Sequence, residues 1–184
     1  MKRIINRLQH YSLNKNIRVA FILVFLALVI LENPWFGQPQ LKRVANTGMI
    51  DMNIFITPNE ISSILHTMGN EGRALYANLL AIDLLVILTF TNLLVISFFK
   101  LKPKPTLSGN IDYLVLIPIL RAVADLIENT FLYLSTAGFP SLILGLLGAT
   151  SMIITIKWVL LALTGLVFIY LLTLRRGERA NEQI

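Results

Sequence analysis

Asp83, Arg121, Asp125, Glu128 and Lys157 all lie well inside runs of apolar residues. Placing one ionisable group in hydrocarbon costs about 2.5–3.5 kcal/mol on insertion scales, so a small chain carrying several must give them partners. Arg121, Asp125 and Glu128 fall at i, i+4 and i+7, within about 60° of arc at 100° per residue, and Asn129 lies beside them. They form one polar helix stripe. Carboxylates in a low-dielectric site do acid/base chemistry when nearby cations tune them, which makes Asp83, Asp125 and Glu128 the candidate catalytic groups. Lys157 and Arg121 would do the tuning. Arg73 and Tyr76, at the head of the same run as Asp83, would hold a polar headgroup at the mouth of the pocket, and Thr150 and Thr164 share the face of Lys157.

The charges do not balance. Three carboxylates oppose two cations, so one acid must take up a proton, recruit Arg73, or receive a cationic ligand. The competing reading is a polar clamp that only ties helices together. Interhelical polar contacts contribute about 1 kcal/mol or less, which poorly offsets the burial of so many charges.

The elements that must position these groups are apolar helices. The chain has 184 residues, 55% hydrophobic and 14% charged, with a mean hydropathy of +0.71. That composition belongs in a membrane, and the length leaves no room for a large extramembrane catalytic domain. The expected fold is all-α, an integral membrane four-helix bundle forming a single domain. Its helices are expected at about 19–36, 74–99, 111–135 and 149–174, with Gly145 and Gly148 loosening the start of the last. Taking midpoints near Leu88, Val123 and Leu161, a rise of about 1.5 Å per residue sets Asp83, Asp125, Glu128 and Lys157 level with one another. Pro118 predicts a kink or a local polar contact near Arg121. A cleaved signal peptide is the competing reading of the first span, although no small-x-small site follows Leu31.

Lys2, Arg3, Arg7, Lys15 and Arg18 precede the first span, Lys100, Lys102 and Lys104 follow the second, and Arg175, Arg176 and Arg179 follow the fourth. All fall on one side of a four-span topology. The positive-inside rule then puts both termini in the cytoplasm, with the chain as a multi-pass protein of the bacterial inner membrane. The net charge of +6 is thereby explained without a nucleic-acid partner. The outer connection, 37–73, is expected to lie on the bilayer. Within it, Thr57-Pro58-Asn59-Glu60 reads as a capping box opening a short amphipathic helix at about 58–68 that ends at Gly69. Tyr113, Tyr133, Tyr170 and Trp35 fall near span ends as interface anchors.

Other chemistries fail on inventory. The chain has no Cys, and its two His residues, His10 and His66, both lie outside the spans, so haem, iron–sulfur and zinc sites are not expected; neither a metal nor a cofactor is. Gly69-Asn70-Glu71-Gly72-Arg73 lacks the Lys-Ser/Thr ending of a phosphate loop, and Ser97, Ser135 and Ser151 have no nearby His base.

Glu71-Gly72-Arg73-Ala74-Leu75-Tyr76, Asp83, Asp125-Leu126-Ile127-Glu128-Asn129 and Lys157-Trp158 together resemble the pattern of an uncharacterised family of small bacterial four-helix membrane proteins. The resemblance covers about 57–174. It implies a shared site and no particular reaction. Where that pattern has Phe-Pro in the second span, this chain has Leu88-Thr89-Phe90-Thr91, which implies a straighter helix. A looser likeness of layout is to the sterol-isomerase and sigma-2-receptor superfamily, whose buried acids hold a cationic ligand or intermediate.

The expected function is therefore a charged intramembrane pocket, open to the outer side, for a small amphipathic or lipidic ligand. Proton transfer is an open option. The alternatives are a non-enzymatic subunit or scaffold with a membrane-protein partner, and a proton-coupled transporter. The last lacks both an acid within Val19 to Leu31 and an inverted repeat.

Overall fold

The computed structural model describes residues 15–31, 38–102, 111–141 and 144–181, together with Ile5 and Arg7. Among them the chain is all-helical. Five α-helices follow in order: α1 (Lys15–Leu31), α2 (Gln38–Ala45), α3 (Pro58–Leu101), α4 (Leu116–Gly138) and α5 (Leu144–Asn181). Short 3-10 turns at Ile50–Met52 and Ile111–Val115 precede α3 and α4. α3, α4 and α5 pack mutually, while α1 and α2 each pack on α3.

α3 and a stretch of α5, Gly145–Gly177, are long and apolar enough to cross a membrane, with peak mean hydropathies of 2.5 and 2.3. α1 is apolar but has only 17 residues. The sequence continues it to Phe36, and residues 32–37, Trp35 included, lie outside the described ones. α4 carries Arg121, Asp125 and Glu128 within 23 residues.

The expected boundaries change in three places. The amphipathic helix at 58–68 and the span at 74–99 are one 44-residue helix, broken only at Gly69. Gly69 has φ +61°, a left-handed conformation that glycine adopts freely and other residues do not. Beyond Gly69 no residue of α3 departs from helical geometry, so the Leu88–Thr91 stretch is unbroken. α4 starts at Leu116, which puts Pro118 in its first turn, where no intrahelical N–H bond is lost; the kink expected there has no cause. α5 begins at Leu144 rather than near Ala149, with Gly145 and Gly148 inside its first turns.

The connection between α1 and α3 also differs from expectation. Rather than lying apart on a surface, it contributes α2 and a 3-10 turn whose side chains enter the bundle. Leu41, Ala45, Met49, Ile50 and Ile56 share a buried cluster with Ile61, Leu65, Met68, Tyr76, Leu80, Leu132, Leu147 and Ile154. The physical reason is helix approach: Gly72 has no side chain, so α2 comes close enough that an added Cβ would stand 2.7 Å from the Ala45 Cβ. A second cluster closes the opposite end, built from Val95, Phe98 and Phe99 of α3 with Val115, Val167 and Leu171.

Between the two clusters the usual burial pattern is inverted. On α4 the buried residues include Asp125, Glu128, Asn129, Ser135 and Thr136, while Leu120, Val123, Leu126, Ile127 and Leu134 are exposed. On α5, Leu147, Thr150, Ile154, Lys157, Thr164, Val167 and Leu171 are buried at heptad-like spacing, and Met152, Val159, Leu163, Leu166 and Ile169 face outward.

The start of α3 is set by a complete capping box. The Thr57 hydroxyl accepts from the Glu60 backbone N–H at 3.3 Å, and the Thr57 backbone N–H donates to Glu60 Oε2 at 2.7 Å. The backbone and then the hydroxyl of Thr57 hold the Glu60 carboxyl below its ordinary range. A carboxylate with a lowered folded-state pKa stabilises the fold above its ordinary pKa, and that contribution is lost as pH falls through the lowered value. Hydrogen-exchange protection of the first turn of α3 is therefore expected to drop on acidification. In Glu60→Gln, which keeps the hydrogen-bonding shape without titrating, this acid dependence should vanish. At the other contact, Gly72→Ala should destabilise the chain by about 1–3 kcal/mol through overpacking. Thermal unfolding in detergent reads this loss, and Ala45→Gly in the same chain should recover part of it.

Candidate functional site

Lys157 is brought to the centre of the bundle by the buried seam of α5. Its Nζ donates to Glu128 Oε1 at 2.9 Å and lies 2.8 Å from Oε2. It also donates to the backbone carbonyl of Asp51 at 3.2 Å and stands 3.8 Å from Asp125 Oδ1. Glu128 is 1% exposed, so this ammonium–carboxylate pair is out of bulk water. One turn along α4, Arg121 is ion-paired with Asp125. Its guanidinium carbon sits 4.9 Å from the centre of the Phe90 ring, a cation–π contact with α3. Phe90 in turn stacks on Phe25 of α1 at 5.7 Å, which ties the first helix to the charged layer.

Asp83 meets α4 through a neutral donor. Asn129 Nδ2 donates to Asp83 Oδ2 at 2.8 Å and reaches the Leu80 carbonyl at 3.4 Å. The stripe read from the sequence thus converges as expected for Asp83, Arg121, Asp125, Glu128, Asn129 and Lys157. Thr150 and Thr164 are buried on the same seam but return their hydroxyls to Leu146 and Leu160 of their own helix.

Arg73 and Tyr76 have other places. Arg73 donates to the Leu65 carbonyl at 2.8 Å and to Asn70 Oδ1, and lies 4.6 Å from the Phe139 ring centre. It therefore bridges the Gly69 break through Leu65 and Asn70 and is not paired with the acids of the cavity. Tyr76 is fully buried, and its hydroxyl donates to Asp51 Oδ1 at 2.9 Å.

Asp51 is the site residue that the sequence did not reveal. It is 6% exposed, in the 3-10 turn before α3, and its carbonyl accepts from both Lys157 Nζ and Trp158 Nε1, each at 3.2 Å. The available signal was a lone acid within an otherwise uncharged stretch, Met49 to Thr57.

Several of these groups border a partly open cavity of about 180 Å³. Asp51 and its neighbours Met49 and Met52 form one wall; Asp83 and Val86 of α3, Arg121 and Asp125 of α4, and Lys157, Trp158 and Leu161 of α5 form the others. With Asp51 included, four carboxylates face two cations. Arg121 and Lys157 are engaged by Asp125 and Glu128, whereas Asp51 and Asp83 are held by the neutral donors Tyr76 and Asn129. Among the described residues no group of three or more His, Cys, Asp or Glu side chains is arranged to hold a metal ion. Comparison with protein-family models, curated proteins and solved structures finds no match to this chain.

The Lys157–Glu128 pair yields a direct prediction. Lys157→Met should cost about 3–5 kcal/mol because it strands a buried carboxylate. Lys157→Met with Glu128→Leu should cost less than the sum of the two single changes. Equilibrium unfolding in mixed micelles around that double-mutant cycle checks the coupling, and strict additivity would refute it.

Proposed function

We propose that the chain is a multi-pass protein of the bacterial cytoplasmic membrane, a four-helix bundle with both termini in the cytoplasm, whose charged cavity binds a small amphipathic or lipidic molecule. Two helices of spanning length support the membrane part of this reading. So do the exposed apolar faces of α4 and α5 around a polar interior, since a water-soluble surface does not present continuous apolar stripes. The basic residues Lys100, Lys102, Arg175 and Arg176 gather at the end away from Asp51, which agrees with a cytoplasmic location for that end. The likeness to small bacterial four-helix membrane proteins belongs to the same proposal.

The observation that carries the ligand reading is the cavity itself, 180 Å³ lined by Asp51, Asp83, Asp125, Arg121 and Lys157. It is a partly open cleft, and what distinguishes it is the number of charged side chains that border it. Its size suits the polar end of an amphiphile rather than a whole lipid. Its charge favours a positive end group: Asp51 and Asp83 are acids held only by neutral donors, so an ammonium would meet two acceptors without displacing an ion pair. The same carboxylates are the groups through which proton transfer would run.

A second reading is a non-catalytic subunit of a membrane complex. It is favoured by the fact that Asp51, Asp83, Asp125 and Glu128 each already have a partner within the chain.

Native mass spectrometry of the protein released from its own membrane separates the two. The expected result is a basic small-molecule adduct on the wild type that is lost in Asp83→Asn, a change that leaves Arg121 and Lys157 with their acids. A stoichiometric protein partner with no adduct in either form would replace the pocket reading with the subunit reading.

A further inference from the structure

The segment between the 3-10 turn and α3 runs along α5 in an unusual way. Its backbone is irregular, yet two of its carbonyls, those of Ile54 and Ile56, and that of Asp51 in the turn before it are taken up by side chains of α5. Ser151 Oγ donates to the Ile56 carbonyl, Thr155 Oγ1 to that of Ile54 at 3.2 Å, and Lys157 and Trp158 to that of Asp51. Meanwhile Met52, which also borders the charged cavity, Ile54 and Phe55 are all exposed, Phe55 at 81%. The segment has no charged residue after Asp51 until Glu60.

We propose that this segment is a lipid-inserted edge of the protein, with Met52, Ile54 and Phe55 buried among lipid chains at the outer boundary of the bilayer. The inference rests on the membrane reading above. Two independent features point to lipid rather than water or a protein partner. The first is continuity: the segment is bonded to α5 at Ser151 and Thr155, and Met152 and Ile156, beside those residues, face outward on a helix apolar enough to span a membrane. The second is carbonyl satisfaction. An irregular backbone facing water needs no such help, whereas one at the edge of hydrocarbon must have its polar groups met from within the protein. Hydroxyl, ammonium and indole donors of α5 meet that requirement at Asp51, Ile54 and Ile56. A cavity-side consequence follows from chain distance: Asp51 is adjacent to Met52, so lipid contact at the tip fixes the height of the wall that closes the charged cavity.

The chain has no cysteine, so single substitutions can be spin-labelled without background. Phe55→Cys and Met52→Cys are compared with Leu163→Cys on the exposed face of α5 and Asn59→Cys at the start of α3, all in phosphatidylethanolamine/phosphatidylglycerol vesicles. Collision with oxygen, which partitions into lipid, is measured against collision with a water-soluble nickel chelate. The expected result is loss of nickel access at Phe55 and Met52, matching Leu163, with Asn59 open to nickel. If Phe55 and Met52 behave like Asn59 while Leu163 stays in lipid, the inserted edge is refuted and the membrane reading stands. If Leu163 is also open to nickel, the membrane reading falls and the inserted edge falls with it. Both exposed positions lose little packing on substitution, so misfolding at one leaves the other to decide.

Discussion

A lysine ammonium buried in an apolar bundle is the constraint on which the rest of the arrangement depends. Stranded in that setting, Lys157 would cost several kcal/mol, so the fold must bring acceptors to it from more than one direction. Glu128 arrives from α4, Asp125 stands close by on the same helix, and the Asp51 carbonyl arrives from the 3-10 turn before α3. Two segments far apart in the chain are thereby held to one height along α5. Arg121 repeats the demand on a smaller scale, with Asp125 for its charge and the Phe90 ring for one face of its guanidinium.

Apolar packing accommodates this polar layer by closing the bundle on both sides of it. The cluster containing Leu41, Ile50, Leu65 and Leu132 seals one end, and that containing Phe98, Val115 and Leu171 seals the other. The first cluster needs α2, whose approach depends on the missing side chain at Gly72. The second lies beside the Lys102–Asp112 ion pair, which ties the end of α3 to the turn before α4. Exposed leucines, isoleucines and valines then face outward around the middle, which is the reverse of a water-soluble bundle.

What the polar layer does depends on how completely its members satisfy one another. Arg121 and Lys157 have acids of their own, so neither is a free anion receptor. Asp51 and Asp83 are different, because a phenol and an amide satisfy their hydrogen bonding without neutralising them. A cavity bordered by two such acids is where the proposed positively charged end group would sit. Proton uptake by one of those acids would leave a single uncompensated carboxylate, so a proton and a cationic end group would compete for the same site.

Helical periodicity by itself determined which residues face inward. Arg121, Asp125, Glu128 and Asn129 share a face because a helix repeats every 3.6 residues, and apolar runs of spanning length admit little besides a helix. The start of α3 was equally legible, since Thr57, Pro58 and Glu60 carry their instructions within one turn. Gly69 marked a break for the same local reason, although not that the helix resumes beyond it. The tertiary structure alone decided the rest. Asp51 joins the site because Tyr76, Lys157 and Trp158 meet its turn, and those contacts span 25 to 107 positions of sequence. Arg73 leaves the site because its guanidinium is held at the Gly69 break by the Leu65 carbonyl and the Asn70 side chain. Local pattern encodes direction around a helix axis; which distant loop lands on that face is settled only when buried charges select among the donors and acceptors within reach.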